Sequence, residues 1–431
     1  MHLRTSTQIE VDGIEAFKER LLHWAQNEIH CIWMDSNNHN GSYTQYDAIL
    51  ALGAHKKIES ASPNAFNDLE QFIAPLKDWV FGYLTYDLKN SIEELHSSNF
   101  DALEFPELCF FQPKKMFLVQ GNKVEIKYLL EFEEELETDL AQINNTSEIR
   151  SFKHAPPKIK MRIHKDAYYT KVNALLEHIH RGDIYEANFC QEFYAENVAL
   201  FPVATFKHLN SISRPPFSTF LRLEDKYLLS ATPERFIKRE GQHIVSQPIK
   251  GTARRSQNKA EDSALKKALE RDEKERSENI MIVDLVRNDL SHTATAGTVK
   301  VTELCKVYSF MQVHQMISTV ESKMRDDVSG IEVIKQAFPM GSMTGAPKIS
   351  AMKIIEELEE TKRGLYSGSV GYFKPNGDFD FNVVIRSILY NATKKYASFS
   401  VGSAITSKSH PQAEYEECLL KARAMREVLE N

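Results

Sequence analysis

Residues 366–390 read YSGSVGYFKPNGDFDFNVVIRSILY and contain the clearest structural signal in the chain. Two segments rich in β-branched and aromatic residues flank Asn376-Gly377, a pair typical of the tight turn in a β-hairpin. Both arms alternate in the manner of β-strands. The stretch therefore predicts two adjacent antiparallel strands joined at this turn.

Further strand signals occur on both sides of this hairpin. Segments 28–37, 78–88, 122–132 and 396–406 carry β-branched and aromatic residues between turn-forming residues. The longest segments with helical periodicity are 164–182, 261–290 and 410–431. Strands and hairpins are too frequent for a regular alternation of strand and helix. The sequence predicts an α+β fold, a two-lobed sandwich of mainly antiparallel sheets with helices packed outside.

A polar segment, 144–160, separates two regions of different character. It reads NNTSEIRSFKHAPPKIK, and its Pro156-Pro157 pair disfavours regular structure. We place the domain boundary here. Residues 1–155 are predicted to form an N-terminal lobe of short strands and helices, and residues 156–431 a catalytic region.

Composition restricts the function classes. The 431 residues are 42% hydrophobic and 26% charged, with a net charge of −7, which disfavours nonspecific binding to nucleic acid or to an anionic membrane. The five cysteines include no C-x-x-C pair, which is typical of a reducing compartment. We find no signal-peptide core and no apolar run of membrane-spanning length. A cytoplasmic protein is expected.

Two pairs of carboxylates indicate a cation site. Glu275 and Glu278 are three residues apart in one predicted helix, and Glu414 and Glu417 have the same spacing in another. Side chains at this spacing share a helix face. Two such helices could hold one Mg²⁺ between them, since Mg²⁺ prefers a few carboxylates plus substrate oxygens. Solvated helix faces carry the same spacing, so the pattern alone leaves both interpretations open.

The segment MGSMTGAPKIS, residues 340–350, is a second candidate site. Gly345 and Ala346 precede Pro347, where a helix is predicted to begin. The free N–H groups of a helix start can bind an anion. A capped loop without a ligand would look the same in sequence.

Lys250 lies in SQPIKGTARR, residues 246–255, between Pro248 and Gly251. A lysine becomes nucleophilic when burial or nearby cations lower its pKa, and Arg254 and Arg255 follow closely. An ordinary surface lysine fits the same pattern.

Four further side chains are candidates on chemical grounds. Glu234 would be a general acid if burial raised its pKa. Arg386 interrupts an apolar strand and needs an anionic partner, to which Tyr366 could add a hydroxyl. His314 lies among apolar neighbours, where a histidine is more often a core residue than a catalytic one.

These segments together resemble the chorismate-utilising enzymes, which include anthranilate, aminodeoxychorismate, isochorismate and salicylate synthases. The matching stretches, in the family's order, are FGYLTYDL, GDIYEANF, SATPERF, PIKGTARR, DEKERSENIMIVDLVRNDL, VHQMIS, TGAPK, YSGSVGYF, FNVVIRS and AEYEECLLKARA. They extend from near residue 79 to near residue 424. One departure is Asn279, where the family commonly has histidine.

The resemblance implies roles for thirteen residues. It implies Mg²⁺ as cofactor, with metal ligands Glu278, Glu414 and Glu417. It implies catalytic roles for Lys250, Glu234 and His314. It implies that the substrate is held by Thr252, Gly345, Ala346, Tyr366, Arg386, Gly402 and Lys421.

Lys250 distinguishes branches of the family. Anthranilate synthases usually have PIAGT, whereas aminodeoxychorismate synthases resemble this chain in having PIKGT. The resemblance then implies a transferase that aminates chorismate at C4 to 4-amino-4-deoxychorismate, a precursor of p-aminobenzoate and folate. Lys250 would attack C2 of the ring.

The nitrogen source is expected to be ammonia or a separate glutamine amidotransferase subunit, because no cysteine lies in a G-x-C-x-G nucleophile turn. Two alternatives stay open: another chorismate enzyme, either an anthranilate synthase component I or an isochorismate synthase, and a non-catalytic chorismate-binding regulatory subunit.

Overall fold

The computed structural model describes residues 3–39, 41, 43–61, 63–146, 156–311 and 313–430. Its strands are β1 (Thr7–Glu10), β2 (His30–Asp35), β3 (Ala48–Ser60), β4 (Val80–Leu84), β5 (Leu108–Gln120), β6 (Lys123–Tyr128), β7 (Lys160–Met161), β8 (Glu186–Ala195), β9 (Phe217–Leu223), β10 (Lys226–Thr232), β11 (Arg235–Glu240), β12 (His243–Gln247), β13 (Ile249–Arg254), β14 (Lys300–Ser309), β15 (Val313–Lys323), β16 (Gly345–Ala346), β17 (Ser369–Phe373), β18 (Phe379–Val383), β19 (Ser387–Asn391) and β20 (Tyr396–Thr406).

The α-helices are α1 (Ile14–Ala25), α2 (Ala65–Ile73), α3 (Lys89–Ile92), α4 (Leu136–Asn145), α5 (Lys165–Arg181), α6 (Pro202–Ser213), α7 (Lys259–Arg271), α8 (Glu273–Ser291), α9 (Gly330–Ala337), α10 (Lys348–Leu358) and α11 (Pro411–Glu430). Short 3₁₀ helices cover Tyr86–Leu88, Leu130–Glu135 and Gly341–Met343.

Two antiparallel sheets diverge from the long pair β3 and β5. The first sheet runs β6-β5-β3-β2-β9-β10-β19-β20-β8. The second runs β5-β4-β17-β18-β11-β12-β15. β13 and β14 also pair with β15, on opposite edges. The two sheets diverge because one edge of β5 pairs with β4 along its first half and with β6 along its second half.

Helices cover the outer faces of both sheets. One apolar core joins the inner face of the first sheet to the second sheet and to α2, α8 and α9. Another joins the outer face of the first sheet to α1, α5, α6, α10 and α11. The alternation of β2 fits this arrangement, since Ile32 enters the first core while Cys31 and Trp33 enter the second. The predicted α+β sandwich is confirmed.

The hairpin at 366–390 is confirmed in its first part and differs in its second. β17 and β18 pair from Ser369↔Val383 to Phe373↔Phe379. Gly377 adopts a positive φ of 85° and donates to the carbonyl of Lys374, so the loop is longer than a two-residue turn. Beyond Val383 the chain leaves the second sheet, and β19 pairs with β10 in the first. Arg386, at φ 53°, therefore lies where the chain crosses between the sheets.

The segment predicted as one helix over 261–290 forms two. Asp272 has an extended backbone and its side chain accepts from the Glu275 N–H, so it caps α8 and separates it from α7. This cap fixes the start of α8 at Glu273, and so places Glu275 and Glu278 in its first turns.

The predicted boundary at 155/156 adjoins residues 147–155, which lie outside the described residues, and it stays a prediction. Strands from the two sides pair directly, as β2 with β9 and β4 with β17. All five cysteines are free thiols, as predicted. No helix in the described part of the chain has the length and apolar character needed to cross a membrane.

Candidate active site

A cavity of roughly 550 Å³ opens between β13, the start of α8, the crossing at Arg386, β20 and α11. Nine of the thirteen predicted site residues line it: Glu234, Lys250, Thr252, Glu278, Tyr366, Arg386, Gly402, Glu417 and Lys421. They come from segments far apart in sequence, and the sandwich brings them to one place.

Lys250 lies in an irregular part of β13. The register against β15 shifts between Ile249 and Thr252, and Gly251 adopts φ 95°. The Lys250 ammonium lies 3.2 Å from Glu186 Oε1, with 11% of the side chain exposed. The backbone carbonyl of Lys250 accepts from Asn279 Nδ2 at 3.3 Å, so the residue that departs from the family pattern holds the Lys250 backbone.

The pKa of Lys250 is not lowered, as activation by burial or by nearby cations would require. Burial acts to lower it, but the charges of Glu186, Glu278 and Glu234 outweigh burial and raise the Lys250 pKa. Arg254 and Arg255 pair instead with Glu261 and Asp262. Lys250 is therefore held as an ammonium.

Glu234 lies in the loop between β10 and β11 and is 3% exposed. Ser342 Oγ donates to its Oε1 at 2.7 Å. Burial raises the pKa of Glu234 to about 7, while the Ser342 hydrogen bond opposes the rise. A carboxyl with this pKa is substantially protonated at neutral pH and can donate a proton into the cavity.

Arg386 gives the cavity an unmatched positive charge. None of the described residues forms a hydrogen bond or ion pair with its guanidinium, and burial lowers its pKa. The side chain is half-buried in the cavity wall, and an arginine that no described carboxylate pairs is poised for an anionic ligand. Tyr366 lies beside it in the lining, and its hydroxyl is 3.7 Å from Cys190 Sγ.

Gly402 and Lys421 form part of the opposite wall. Lys421 Nζ donates to the Gly402 carbonyl at 2.8 Å and pairs with Glu417 at 2.6 Å. A methyl group at Gly402 would lie 2.6 Å from Cys190 Sγ, so only glycine lets β20 approach β8 this closely. Thr252 lines the cavity from β13.

The three predicted metal ligands lie near one another without forming a compact metal cage. Among the described residues, no group of three His, Cys, Asp or Glu side chains has metal-binding geometry. The ammonium of Lys274 lies 3.7 Å from Glu278 Oε1 and 3.4 Å from Glu414 Oε1, where it bridges two of the three predicted ligands. Glu417 pairs with Lys421.

The donor set nevertheless suits a hard cation. Glu278 Oε1 is buried, and no residue in the described part of the chain forms a hydrogen bond with it. Burial and the charges of Glu275 and Glu186 raise the Glu278 pKa to about 7, against the opposing charges of Lys250 and Lys274. A bound cation would relieve this cost, and oxygen ligands are those that Mg²⁺ prefers.

Four predicted residues lie outside the cavity lining. His314 is buried, and its ring nitrogens lie 2.9 Å from Ser309 Oγ and 3.1 Å from Asp262 Oδ1. Gly345 and Ala346 pair with β8 at Ala187 and Glu186. Glu414 is buried, accepts from Ser403 and contacts Lys274. The catalytic role of His314 has no geometric support here and, like the other assigned roles, stays a prediction.

The sequence did not single out Glu186, Ser342 and Lys274. Glu186 contacts Lys250, Ser342 contacts Glu234, and Lys274 contacts two predicted metal ligands. All three lie inside segments that carry the family resemblance or beside candidate residues. Glu186 and Ser342 contact partners distant in sequence, which no periodicity reveals, whereas Lys274 lies four residues before Glu278, a spacing that places both on one helix face.

The pattern of the family described as chorismate binding enzyme matches residues 21–427, and the chain belongs to this family. It is a chorismate-utilising enzyme.

A Synechocystis protein described as anthranilate synthase component I-like is 36% identical over 358 residues, covering 82% of this chain and 72% of that protein. Aminodeoxychorismate synthase component 1 of Bacillus subtilis is 31% identical over 391 residues, covering 87% and 80%. The crystal structure of anthranilate synthase component I from Streptococcus pneumoniae has a TM-score of 0.77 and 26% identity, covering 90% and 94%.

Proposed function

We propose that the chain aminates chorismate at C4 to give 4-amino-4-deoxychorismate, the precursor of p-aminobenzoate. The observation that carries this proposal is the amine of Lys250 in the wall of a cavity that also presents Glu234 and Arg386. Similarity to an aminodeoxychorismate synthase component 1 supports the same assignment.

Covalent catalysis would proceed in two substitutions. The neutral amine of Lys250 attacks C2, the two ring double bonds each shift one position, and the C4–O bond breaks. Glu234 supplies the proton with which the hydroxyl leaves as water. Ammonia then attacks C4, the double bonds shift back, and the C2–N bond breaks to free Lys250. Two substitutions replace one difficult displacement.

The remaining charges orient the substrate. Chorismate has two carboxylates, and Arg386 offers a guanidinium that no described residue pairs, so it would bind one of them. Lys421 and Thr252 lie in the same lining. Glu278, Glu414 and Glu417 would hold Mg²⁺, which anchors a carboxylate and neutralises its charge when bound.

The nitrogen would come from free ammonia or from a glutamine amidotransferase partner. The name component 1 of the Bacillus subtilis relative supports a partner subunit. The free thiols of all five cysteines support a cytoplasmic location.

A product assay tests the proposal. The purified chain is incubated with chorismate, Mg²⁺ and a high ammonium concentration at about pH 8, where more of the ammonium is present as the nucleophile NH₃. Products are resolved by chromatography and mass, with and without an added aminodeoxychorismate lyase. We expect aminodeoxychorismate, which the lyase converts to p-aminobenzoate.

Lys250→Ala should bind chorismate but form no aminated product. Lys267→Ala is the matched control, because Lys267 is an exposed lysine on α7. Anthranilate or isochorismate as the product would assign the chain to another branch of the family. Unchanged product and rate in Lys250→Ala would refute the covalent role. Chorismate binding without turnover, even with an added glutaminase subunit, would favour a regulatory subunit.

A further inference from the structure

Glu186 is a buried carboxylate to which the proposed reaction has assigned no role. It is the first residue of β8, is 1% exposed, and pairs through its backbone with Ala346 of β16 and Thr406 of β20. Apart from the contact with Lys250, neither of its carboxylate oxygens has a hydrogen-bond partner among the described residues. Among the residues that the structure describes, its ion-pair partner is the Lys250 ammonium, at 3.2 Å.

The other acids that face Lys250 have other contacts. Glu278 approaches from α8 and lies beside Lys274. Glu234 approaches from the β10–β11 loop and accepts from Ser342. Among these three acids, Glu186 is therefore the one whose carboxylate is within ion-pair distance of the Lys250 amine.

The need for such a group follows from the charge of Lys250. Burial acts to lower the Lys250 pKa, but the surrounding carboxylates raise it above its ordinary value, so the amine is protonated at pH 8. A protonated amine cannot attack carbon. A nucleophile in this state needs an adjacent group that accepts its proton.

We infer that Glu186 is the positioning residue for Lys250: it holds the ammonium in the cavity wall and accepts its proton before the amine attacks C2. This inference rests on the proposed amination. Transfer of one proton from Lys250 to Glu186 within this ion pair then gives a neutral amine without proton exchange with solvent.

The protons balance over one turnover. One proton passes from Lys250 to Glu186 before attack, and one passes from Glu234 to the leaving hydroxyl. When ammonia displaces Lys250, the lysine leaves as a neutral amine and recovers its proton from Glu186. The ammonium formed at C4 has one excess proton, which restores Glu234. The net reaction is chorismate plus ammonia giving aminodeoxychorismate plus water.

Glu186→Gln tests the inference because it removes the charge and keeps the shape. We expect kcat for amination to fall by about 10²-fold, the usual size of a proton-transfer contribution, with the KM for chorismate changed less than about threefold. Glu186→Asp should recover part of the lost kcat. Glu196→Gln is the matched control, since Glu196 lies just beyond β8 and pairs with Lys160 at the surface.

A second measurement is independent of turnover. Competitive acetylation of the full chain across pH, read at Lys250 by mass spectrometry, reports how readily its amine loses a proton. Without the anion of Glu186 the Lys250 pKa should fall, so the neutral fraction of the amine at neutral pH, and with it the labelling, should rise by up to about tenfold for each unit of that fall. In Glu186→Gln, Lys250 would thus be neutral more often although amination is slower. A purely structural role for Glu186 would not combine faster labelling with slower catalysis.

Unchanged kcat and unchanged labelling in Glu186→Gln would overturn the inference. So would a loss confined to KM, because Glu186 would then only shape the cavity. If the wild-type chain makes a product other than aminodeoxychorismate, the proposed function fails, whereas the labelling shift still reports whether Glu186 controls the Lys250 proton.

Discussion

Replacing Ser342 by alanine tests whether Glu234 is the proton donor. Ser342 Oγ donates to Glu234 at 2.7 Å, which favours the ionised carboxylate and limits the rise in pKa that burial causes. Removing the hydroxyl therefore raises the Glu234 pKa further. An acid that must be protonated to act should then stay active to higher pH.

The size of the shift follows from the bond that is lost. A hydrogen bond to a charged group contributes about 1.5 kcal/mol at the lower end of its range, and one pKa unit corresponds to about 1.4 kcal/mol. The Glu234 pKa of about 7 should therefore move to roughly 8. At about pH 8 the protonated fraction then rises from roughly a tenth to roughly a half.

The assay is kcat for chorismate consumption across pH, with the calculated concentration of free ammonia held constant. The alkaline midpoint of the Ser342→Ala profile should lie about one unit above that of the wild type. Ser211→Ala is the control, because Ser211 is exposed on α6 and donates to the His208 carbonyl. A midpoint that is unchanged or lower in Ser342→Ala would refute the assignment of Glu234 as the acid.

Three further changes test other parts of the site. Arg386→Met should raise the KM for chorismate roughly 10- to 100-fold with a smaller effect on kcat, because a charge-assisted contact to the substrate is lost; initial-rate kinetics measure both. Lys274→Met should tighten Mg²⁺ binding by about tenfold, because the Lys274 ammonium bridges Glu278 and Glu414 and would compete with the cation. The expected factor is modest because Lys274 is partly exposed and solvent screens its charge. Calorimetry without chorismate measures the Mg²⁺ affinity. Gly402→Ala should destabilise the fold by about 1–3 kcal/mol, because the new methyl group would lie 2.6 Å from Cys190 Sγ; denaturant unfolding measures this.

Each expectation has an outcome that contradicts it. An unchanged KM in Arg386→Met would place the substrate carboxylates elsewhere. Weaker or unchanged Mg²⁺ binding in Lys274→Met would mean that the lysine does not compete with the cation. An unchanged unfolding midpoint in Gly402→Ala would show that β8 and β20 can separate at no cost.

The local patterns of the sequence predicted elements well where one signal dominated. The helical segment predicted over 164–182 forms α5, which Gly182 ends in the left-handed conformation at φ 90°. The strands β2, β4, β6 and β20 lie where β-branched and aromatic residues cluster. The break at Asp272 was missed because helical periodicity continues across it, and one capping side chain is a weaker signal than the apolar spacing on both sides.

The sequence also identified candidate site residues, because the ordered motifs are contiguous stretches of the chain. Nine of the predicted residues line one cavity. The sequence could not determine the charge states of these residues. Pairing Lys250 with Glu186 and burying Glu234 depend on segments more than forty residues apart, brought together by β8, β13 and the β10–β11 loop.

Only the tertiary structure decided the sign of the Lys250 pKa shift. The neighbouring arginines along the chain suggested a lowered pKa, but they pair with acids near the start of α7, while acids from β8, α8 and the β10–β11 loop face the amine. Charge interactions depend on distance through space and on burial, and a linear sequence specifies neither.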